Sequence, residues 1–396
     1  MNADTPGARF SQRLPARVYD RIQARVRDRL AAAELDAVIT DDPEDVSYLT
    51  GFFHHPCERP VAVYLDADRT VLMVPELERQ HAEEQRARAD IVSYAEYPGV
   101  ENPFASLVPA VRVRRAGVTT LVTHHRLAMM TRALPDVSFA PTDLITVARY
   151  VKFPEEVALH REAARITDLM LQAGVDLIAQ AVMAGEGLPS EAELAAYVGR
   201  DGVGRMYAEH DDVVVISFMA GGLVYAGANS AIPHGLPSSY RLQAGDTFML
   251  SLGAAVGGRF VEGERTFVLG EPSVDQRRYH DAVRLAQATG SAAIAPGIRC
   301  ADSNATCLGV IRDAGLARYL RHRQGHGIGL GMHEPPWLED GDPTELEPGM
   351  IVSNEPGIYI PGHAGYRISD SMLVTATGSE PLTSFPRSLD DCVIPI

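Results

Sequence analysis

Lysine is almost absent from this 396-residue chain: of its 36 basic residues, all but Lys152 are arginine. That scarcity excludes Schiff-base chemistry and the lysine of a P-loop phosphate clamp everywhere except at Lys152 itself. A cationic surplus is missing as well. The formal charge is −16, so the chain lacks the excess of cations that would neutralise a phosphate backbone or an anionic lipid surface, and neither nucleic acid nor membrane is expected as a partner. Cysteine is sparse, and Cys57, Cys300, Cys307 and Cys392 form neither a CxxC pair nor a dense framework. Reduced thiols in a cytoplasmic protein are the expectation. The opening MNADTPGARF lacks the apolar core of a signal peptide. The uncharged stretch from Val213 to Pro233 is interrupted by glycine, asparagine, serine and proline, and reads as strand, loop and strand rather than a membrane span.

What the chain does have is length and apolar content. At 396 residues with 46% hydrophobic and 22% charged residues, it has the composition of a globular protein of two domains. A break is expected at Lys152-Phe153-Pro154, dividing residues 1–152 from residues 153–396. Before it, an amphipathic helix over about Ala16–Glu34, the strand LDAVIT, a hairpin VAVYL and TVLMV, and a strand GVTTLVTHH describe a smaller α/β domain. Pro154-Glu155-Glu156 then opens a long helix with proline and acids in its first turn. Beyond Val213 short β-rich runs alternate with glycine and proline, interrupted by helices at about 273–295 and 300–314, which describes an α+β domain built on an antiparallel sheet. Acidity is uneven: residues 1–156 hold 23 acidic and 19 basic residues, the remainder 29 and 17. Most of that excess is solvated surface, but a few carboxylates in a pocket for a cation are the sharper expectation.

Five islands of the second domain place a titratable residue at a strand end or in a glycine-rich loop. They are AIPHG with His234, MLSLGAAVGGRFVEGERTF with Glu262 and Glu264, GHGIGLGMHEPP with His326 and His333, SNEPGIY with Glu355, and GYRISD with Arg367 and Asp370. Each alone is a weak signal. In this order and spacing they resemble the M24 family of "pita-bread" enzymes, which includes prolidases, aminopeptidases P, methionine aminopeptidases and creatinase. The resemblance implies an α+β pita-bread catalytic domain preceded by a smaller creatinase/prolidase-like α/β domain. It also implies a homodimer in which the N-terminal domain completes the partner's site.

In the family's metallopeptidases two Asp, one His and two Glu hold two divalent metals. Here the matching positions are Ser251, Glu262, His326, Glu355 and Ser369, so two carboxylates are replaced by neutral hydroxyls. A hydroxyl cannot offset the cost of dehydrating a cation as a carboxylate does, and no resident metal is expected. Should a metal be held, the ligands would be Glu262, His326 and Glu355, for a single divalent ion such as Mn, Co or Zn. The triplet Glu264-Arg265-Thr266 resembles creatinase, which works without metal. By that resemblance His234 carries the proton, Glu264 and Glu355 grip a substrate cation, and Arg59 in HHPCERPVAV anchors a carboxylate. Two carboxylates can hold a planar cation in bidentate fashion, and an imidazole can both activate water and protonate a leaving nitrogen. His326 is expected to be a polar wall or a second proton carrier, and Glu262, His333, Trp337 and Arg367 are expected to line the substrate.

The leading expectation is thus a metal-independent, creatinase-like hydrolase cleaving a C–N bond of a small polar substrate that carries a guanidino, amidine or amide group and a carboxylate. One departure points elsewhere: after His333 the chain reads Glu334-Pro335-Pro336-Trp337, the form found in the peptidases. A second expectation is therefore an Xaa-Pro aminopeptidase or prolidase-like metallopeptidase with a reduced metal site. A lyase of the same fold and a non-catalytic binding protein are the remaining alternatives.

Overall fold

A computed structural model describes residues 9–396; residues 1–8, with most of the opening MNADTPGARF, lie outside the described residues. Two compact units are present. The smaller comprises Arg13–Arg149 with Val214–Ser217. Its helix α1 (Ala16–Ala32) turns Val18, Ile22, Val26 and Leu30 inward, one apolar residue per turn on a single face. Six strands follow: β1 (Ala37–Thr40), β2 (Ala62–Asp66), β3 (Thr70–Pro75), β4 (Asp90–Tyr94), β5 (Arg115–Thr119) and β6 (Ser138–Thr142), in the sheet order β4-β3-β2-β1-β5-β6. β2 and β3 form the expected antiparallel hairpin, closed by the Asp66 carboxylate accepting from the amides of Asp68 and Arg69. The central strands are buried along their whole length, which is why they read as unbroken apolar runs rather than alternating ones. The segment GVTTLVTHH departs from expectation: β5 ends at Thr119, and the Thr123 hydroxyl accepts from the Arg126 amide to start a helix over His124–Ala133.

The larger unit comprises residues 9–12, Tyr150–Val213 and Phe218–Ile396. Phe10–Ser11 pairs in parallel with His210–Asp211, which joins the start of the described chain to this unit. α2 (Pro154–Ala184) has proline in its first turn, and the Glu156 carboxylate accepts from the Phe153 amide; it ends at Gly185 in the left-handed region. By length and composition α2 could cross a membrane. Here it is a core helix against α3 (Glu191–Glu209) and the two long strands that follow.

The main sheet is built from β7 (Ala220–Ala226), β8 (Thr247–Val256), β9 (Arg259–Leu269), then, after α4 (Val274–Ala293) and α5 (Cys300–Asp313), β10 (Gly325–Gly327), β11 (Glu334–Leu338) and β12 (Ile351–Asn354). A separate hairpin, β13 (Gly357–Ile360) and β14 (Ala364–Arg367), precedes β15 (Ser369–Val374), and the sheet order is β11-β10-β12-β15-β9-β8-β7. Neighbours on this path pair antiparallel, the α+β arrangement expected of this domain. β7 can lie close to β8 because Gly222 has no side chain: a Cβ there would stand 2.0 Å from the Ser251 carbonyl oxygen.

α4 carries a buried titratable group that serves no partner. His280 is 1% exposed, and neither ring nitrogen has a hydrogen-bond partner among the described residues. Burial carries its pKa down to about 4. The unfolded imidazole takes a proton near pH 6.5 whereas the folded one does not. Its contribution to stability is therefore complete above pH 6.5 and is lost as pH falls toward 4, at about 1.4 kcal/mol per pH unit. Between pH 7 and pH 5 wild-type protein should lose about 2 kcal/mol more than His280→Leu, read from urea unfolding at the two pH values. Equal losses in the two proteins would show that His280 is not held neutral.

Candidate metal centre and its flanking guanidinium

The pairing of β8, β9 and β15 sets the floor of the site. Glu262 and Glu264 are two apart on β9 and so share a face. Ser251 on β8 and Ser369 on β15 are the direct neighbours of Glu264 on either side. The two carboxylates nevertheless have different fates. Glu264 is bound by Arg367 from the end of β14: Nη2 donates to Oε1 at 2.8 Å and Nε donates to Oε2, while the Ser251 hydroxyl also donates to Oε1. Arg367 Nη2 further donates to Ser251 Oγ at 3.0 Å and Nη1 to the Tyr359 hydroxyl at 2.9 Å. Tyr359 in turn meets His322 Nε2 at 2.8 Å. Burial opposes the charge on Arg367, but Glu264 foremost, then Tyr359 and Glu355, holds it firmly protonated.

Glu262, on the same face, meets different partners. Its Oε1 accepts from the Ser369 hydroxyl at 2.9 Å, and its Oε2 stands 3.8 Å from His326 Nε2. His326 comes from β10, its backbone N–H donating to Ser353 Oγ at 2.9 Å. Its Nδ1 lies 3.0 Å from the Gly327 carbonyl. Only a protonated Nδ1 can make that contact, which leaves Nε2 with its lone pair toward the carboxylates in the neutral ring. Glu355, just after β12, places Oε1 3.2 Å from the same Nε2. His333 in the loop between β10 and β11 stacks obliquely on His326 with ring centroids 4.1 Å apart.

These groups respond strongly to one another. Burial, then the Glu355 charge, pushes Glu262 well up. Burial alone would lower His326, but Glu262 and Glu355 outweigh it and raise it. Glu355 is held down against burial by the hydrogen bond and charge of His326. Burial, then the charge of His326, lowers His333 to about 4, so at neutral pH one of its ring nitrogens has a lone pair to donate. Among the described residues His326 Nε2 is a buried nitrogen without a hydrogen bond of good geometry, aimed at two carboxylates. Such an arrangement calls for a positive charge among the three groups. Glu262, His326 and His333 each present a donor atom, and all three atoms lie within 4.8 Å of one another. Two imidazoles and a carboxylate, with a second carboxylate alongside, fit a single divalent ion of the first transition row.

The other residues singled out by sequence have plainer places. Arg367 and Glu264 satisfy one another, which leaves Glu264 no free oxygen to grip a substrate cation together with Glu355. His234 is exposed in the segment after Gly227–Ala231, within electrostatic reach of His333 but outside the buried cluster. Trp337 sits opposite His326 in the β10–β11 register, its ring 4.2 Å from the Arg323 guanidinium carbon. Arg59, in the smaller unit, pairs with Glu96 at 2.5 Å and Glu58 at 2.8 Å. Arg265 turns to the opposite face of β9 and pairs with Asp370. Lys152 is buried against Glu334 at 3.2 Å. His322 and Tyr359 were missed, although both flank motifs already noted: His322 precedes GHG and Tyr359 closes EPGIY.

Comparison with known proteins agrees with this geometry. Residues 158–376 match the profile of metallopeptidase family M24, and residues 21–151 match the creatinase/prolidase N-terminal domain. The chain is 29% identical over 354 residues to a putative dipeptidase, YkvY, of Bacillus subtilis, covering 87% of this chain and 93% of the relative. Among solved structures, dipeptidase PepE from Mycobacterium ulcerans superposes with a TM-score of 0.84 at 28% identity, covering 97% of this chain and 100% of that one. An Xaa-Pro dipeptidase from Bacillus anthracis gives 0.82 at 26% identity, covering 95% and 100%. The expectation of no resident metal is overturned. The matched family is one of metallopeptidases, and His333 joins Glu262 and His326 in a donor cluster that counting carboxylates had not credited.

Proposed function

We propose, for a chain that belongs to metallopeptidase family M24 and is thereby a hydrolase of C–N bonds, that it hydrolyses dipeptides or similarly small peptides with one divalent metal in the Glu262, His326 and His333 cluster. The observation that carries this reading is the convergence of those three donors, with His326 Nε2 buried and aimed at two carboxylates. The dipeptidase names of the similar proteins support a peptidase over the creatinase-like reading. So does the occupation of Glu264 by Arg367, since a creatinase-like clamp needs that carboxylate free.

When bound, the metal would polarise a peptide carbonyl and acidify a water. The protein's own groups do the rest. Glu355, held as a carboxylate beside His326, accepts a proton from the attacking water. His234, exposed and within electrostatic reach of His333, passes a proton to the departing nitrogen. Ser369 orients the Glu262 carboxylate through its hydrogen bond, and Ser353 fixes the backbone that presents His326.

The test is hydrolysis of a panel of dipeptides, Xaa-Pro among them, with creatine alongside, before and after dialysis against a chelator. Dipeptide cleavage that disappears on chelation and returns with Zn²⁺ or Mn²⁺ is expected. Chelator-resistant turnover, or cleavage of creatine in preference to every dipeptide, would sink the reading.

A further inference from the structure

The same floor holds a second feature that the single-metal reading does not use. Ser251, Glu264 and Ser369 form one row across β8, β9 and β15, next to Glu262 on β9. A second cation beside Glu262 would need, besides Glu355, ligands from that row. Two of its members are neutral hydroxyls, and the third, Glu264, has both oxygens bound to Arg367. Arg367 is itself 4% exposed, and its guanidinium is fixed on its remaining side by Tyr359.

We infer that Arg367, by occupying Glu264, denies a second metal ion the only carboxylate of that row, so that the chain takes one divalent ion and Arg367 is a positioning residue for Glu264, Ser251 and Tyr359. This rests on the single-metal reading for the Glu262, His326 and His333 cluster and extends it to the neighbouring row. The physical argument is charge and geometry together. A guanidinium does not lose its proton in a protein, so the positive charge is permanent. Its planar fork matches a carboxylate bidentately, so Glu264 is neutralised where it stands. The hydroxyl of Ser251 completes the arrangement by donating to Glu264 while accepting from Arg367, a role an anionic side chain could not fill beside Glu264. Serine at position 251 is then part of the arginine's seat rather than a damaged ligand.

Stoichiometry tests this without reference to turnover. Protein stripped by a chelator is titrated with Zn²⁺ alone and with Mn²⁺ alone, by calorimetry and by elemental analysis after gel filtration. One equivalent per chain is expected, and two in the wild type would overturn the inference. A pair of variants provides the second arm. Ser251→Asp with Ser369→Glu supplies two carboxylates and, with Arg367 retained, should still bind one equivalent. Adding Arg367→Met should admit a second ion, bound at least about tenfold tighter than in the double variant, the size of effect one charge a few ångströms away exerts. Equal binding by the double and triple variants, each checked for cooperative unfolding, would overturn the inference. Should the triple variant fail to fold, the wild-type stoichiometry still decides. Absence of any bound metal in the wild type would instead refute the reading under the preceding heading. The inference would then be judged by the double and triple variants alone.

Discussion

His326→Ala is expected to abolish tight metal binding and to lower kcat/KM on the best dipeptide by on the order of 10³-fold, the equivalent of several kcal/mol of transition-state stabilisation. The expectation follows from where the residue sits. His326 is the member of the cluster that touches both flanking carboxylates, at 3.2 Å from Glu355 and 3.8 Å from Glu262, and its ring stacks on His333. Removing it leaves two buried carboxylates facing each other without an intervening charge, which costs their ionisation as well as a ligand. A structural role alone would predict a different pattern: reduced unfolding midpoint with metal stoichiometry preserved in the folded fraction. Elemental analysis and kinetics on the same preparation separate the two. Full metal content in His326→Ala would remove His326 from the ligand set. Ser353→Ala should produce a milder form of the same defect, since Ser353 only supports the His326 backbone; losing a group that holds a metal ligand in place commonly costs about 10- to 100-fold in metal affinity.

Much of this architecture was legible in the chain. The helices expected at 273–295 and 300–314 are found at Val274–Ala293 and Cys300–Asp313. Ser273 with Gln276 announces the first by a capping box, and Pro296-Gly297 separates it from the second. The hairpin of β2 and β3 was equally clear, because two apolar runs flank an Asp-rich turn. The helix His124–Ala133 was not, since Leu121 and Val122 prolong an apparent strand pattern and only the Thr123 cap marks the change. Spacing also placed Glu262 and Glu264 on one face. It could not say which of them would meet the guanidinium, because Arg367 lies 103 residues from Glu264 and reaches it only through the fold.

That missing contact explains both site corrections. By resemblance, a clamp of Glu264 and Glu355 around an organic cation is the natural expectation; Arg367 supplies that cation to Glu264 from within. With metal ligands sought only at the positions known from resemblance, Ser251 and Ser369 read as losses. His333 could not be credited, because its approach to His326 depends on the tight return between β10 and β11. There Gly329 leaves room for the Glu334 carboxylate: a Cβ on Gly329 would stand 2.2 Å from one of its oxygens. Glu334 in turn accepts from the Gly331 amide and pairs with Lys152, so the solitary lysine of the chain helps to hold the loop that carries His333.

Asp370→Ala is expected to destabilise the larger unit by about 3–5 kcal/mol, the usual cost of stranding one member of a buried ion pair. Asp370 lies on β15 beside Ser369 and is fully buried. Its carboxylate accepts from Arg265 Nη2 at 2.8 Å, Arg387 Nη2 at 2.8 Å, Arg387 Nε at 2.6 Å, Gln287 Nε2 at 2.6 Å and the Thr383 hydroxyl at 2.7 Å. Arg265 is also fully buried, and although it donates to the carbonyls of Phe385 and Ser369, these are neutral and leave its charge uncompensated once Asp370 is gone. Asp370→Asn tests whether charge or hydrogen bonding dominates. It keeps the shape and acceptor oxygen but removes the counter-ion, so a loss close to that of alanine assigns the effect to charge. Replacing both members, Arg265→Met with Asp370→Leu, should recover part of the loss, because it removes the stranded Arg265 charge while Arg387, Gln287 and Thr383 still lose their acceptor. Unfolding midpoints in urea for wild type, Arg265→Met, Asp370→Leu and the double variant give the cycle. Because Ser369 is the next residue and hydrogen-bonds Glu262, Asp370→Ala should also weaken metal binding in the fraction that stays folded. An unchanged midpoint in Asp370→Ala would mean that Arg265 finds its charge compensated elsewhere, and would remove this network from the account of how β9 and β15 hold the site.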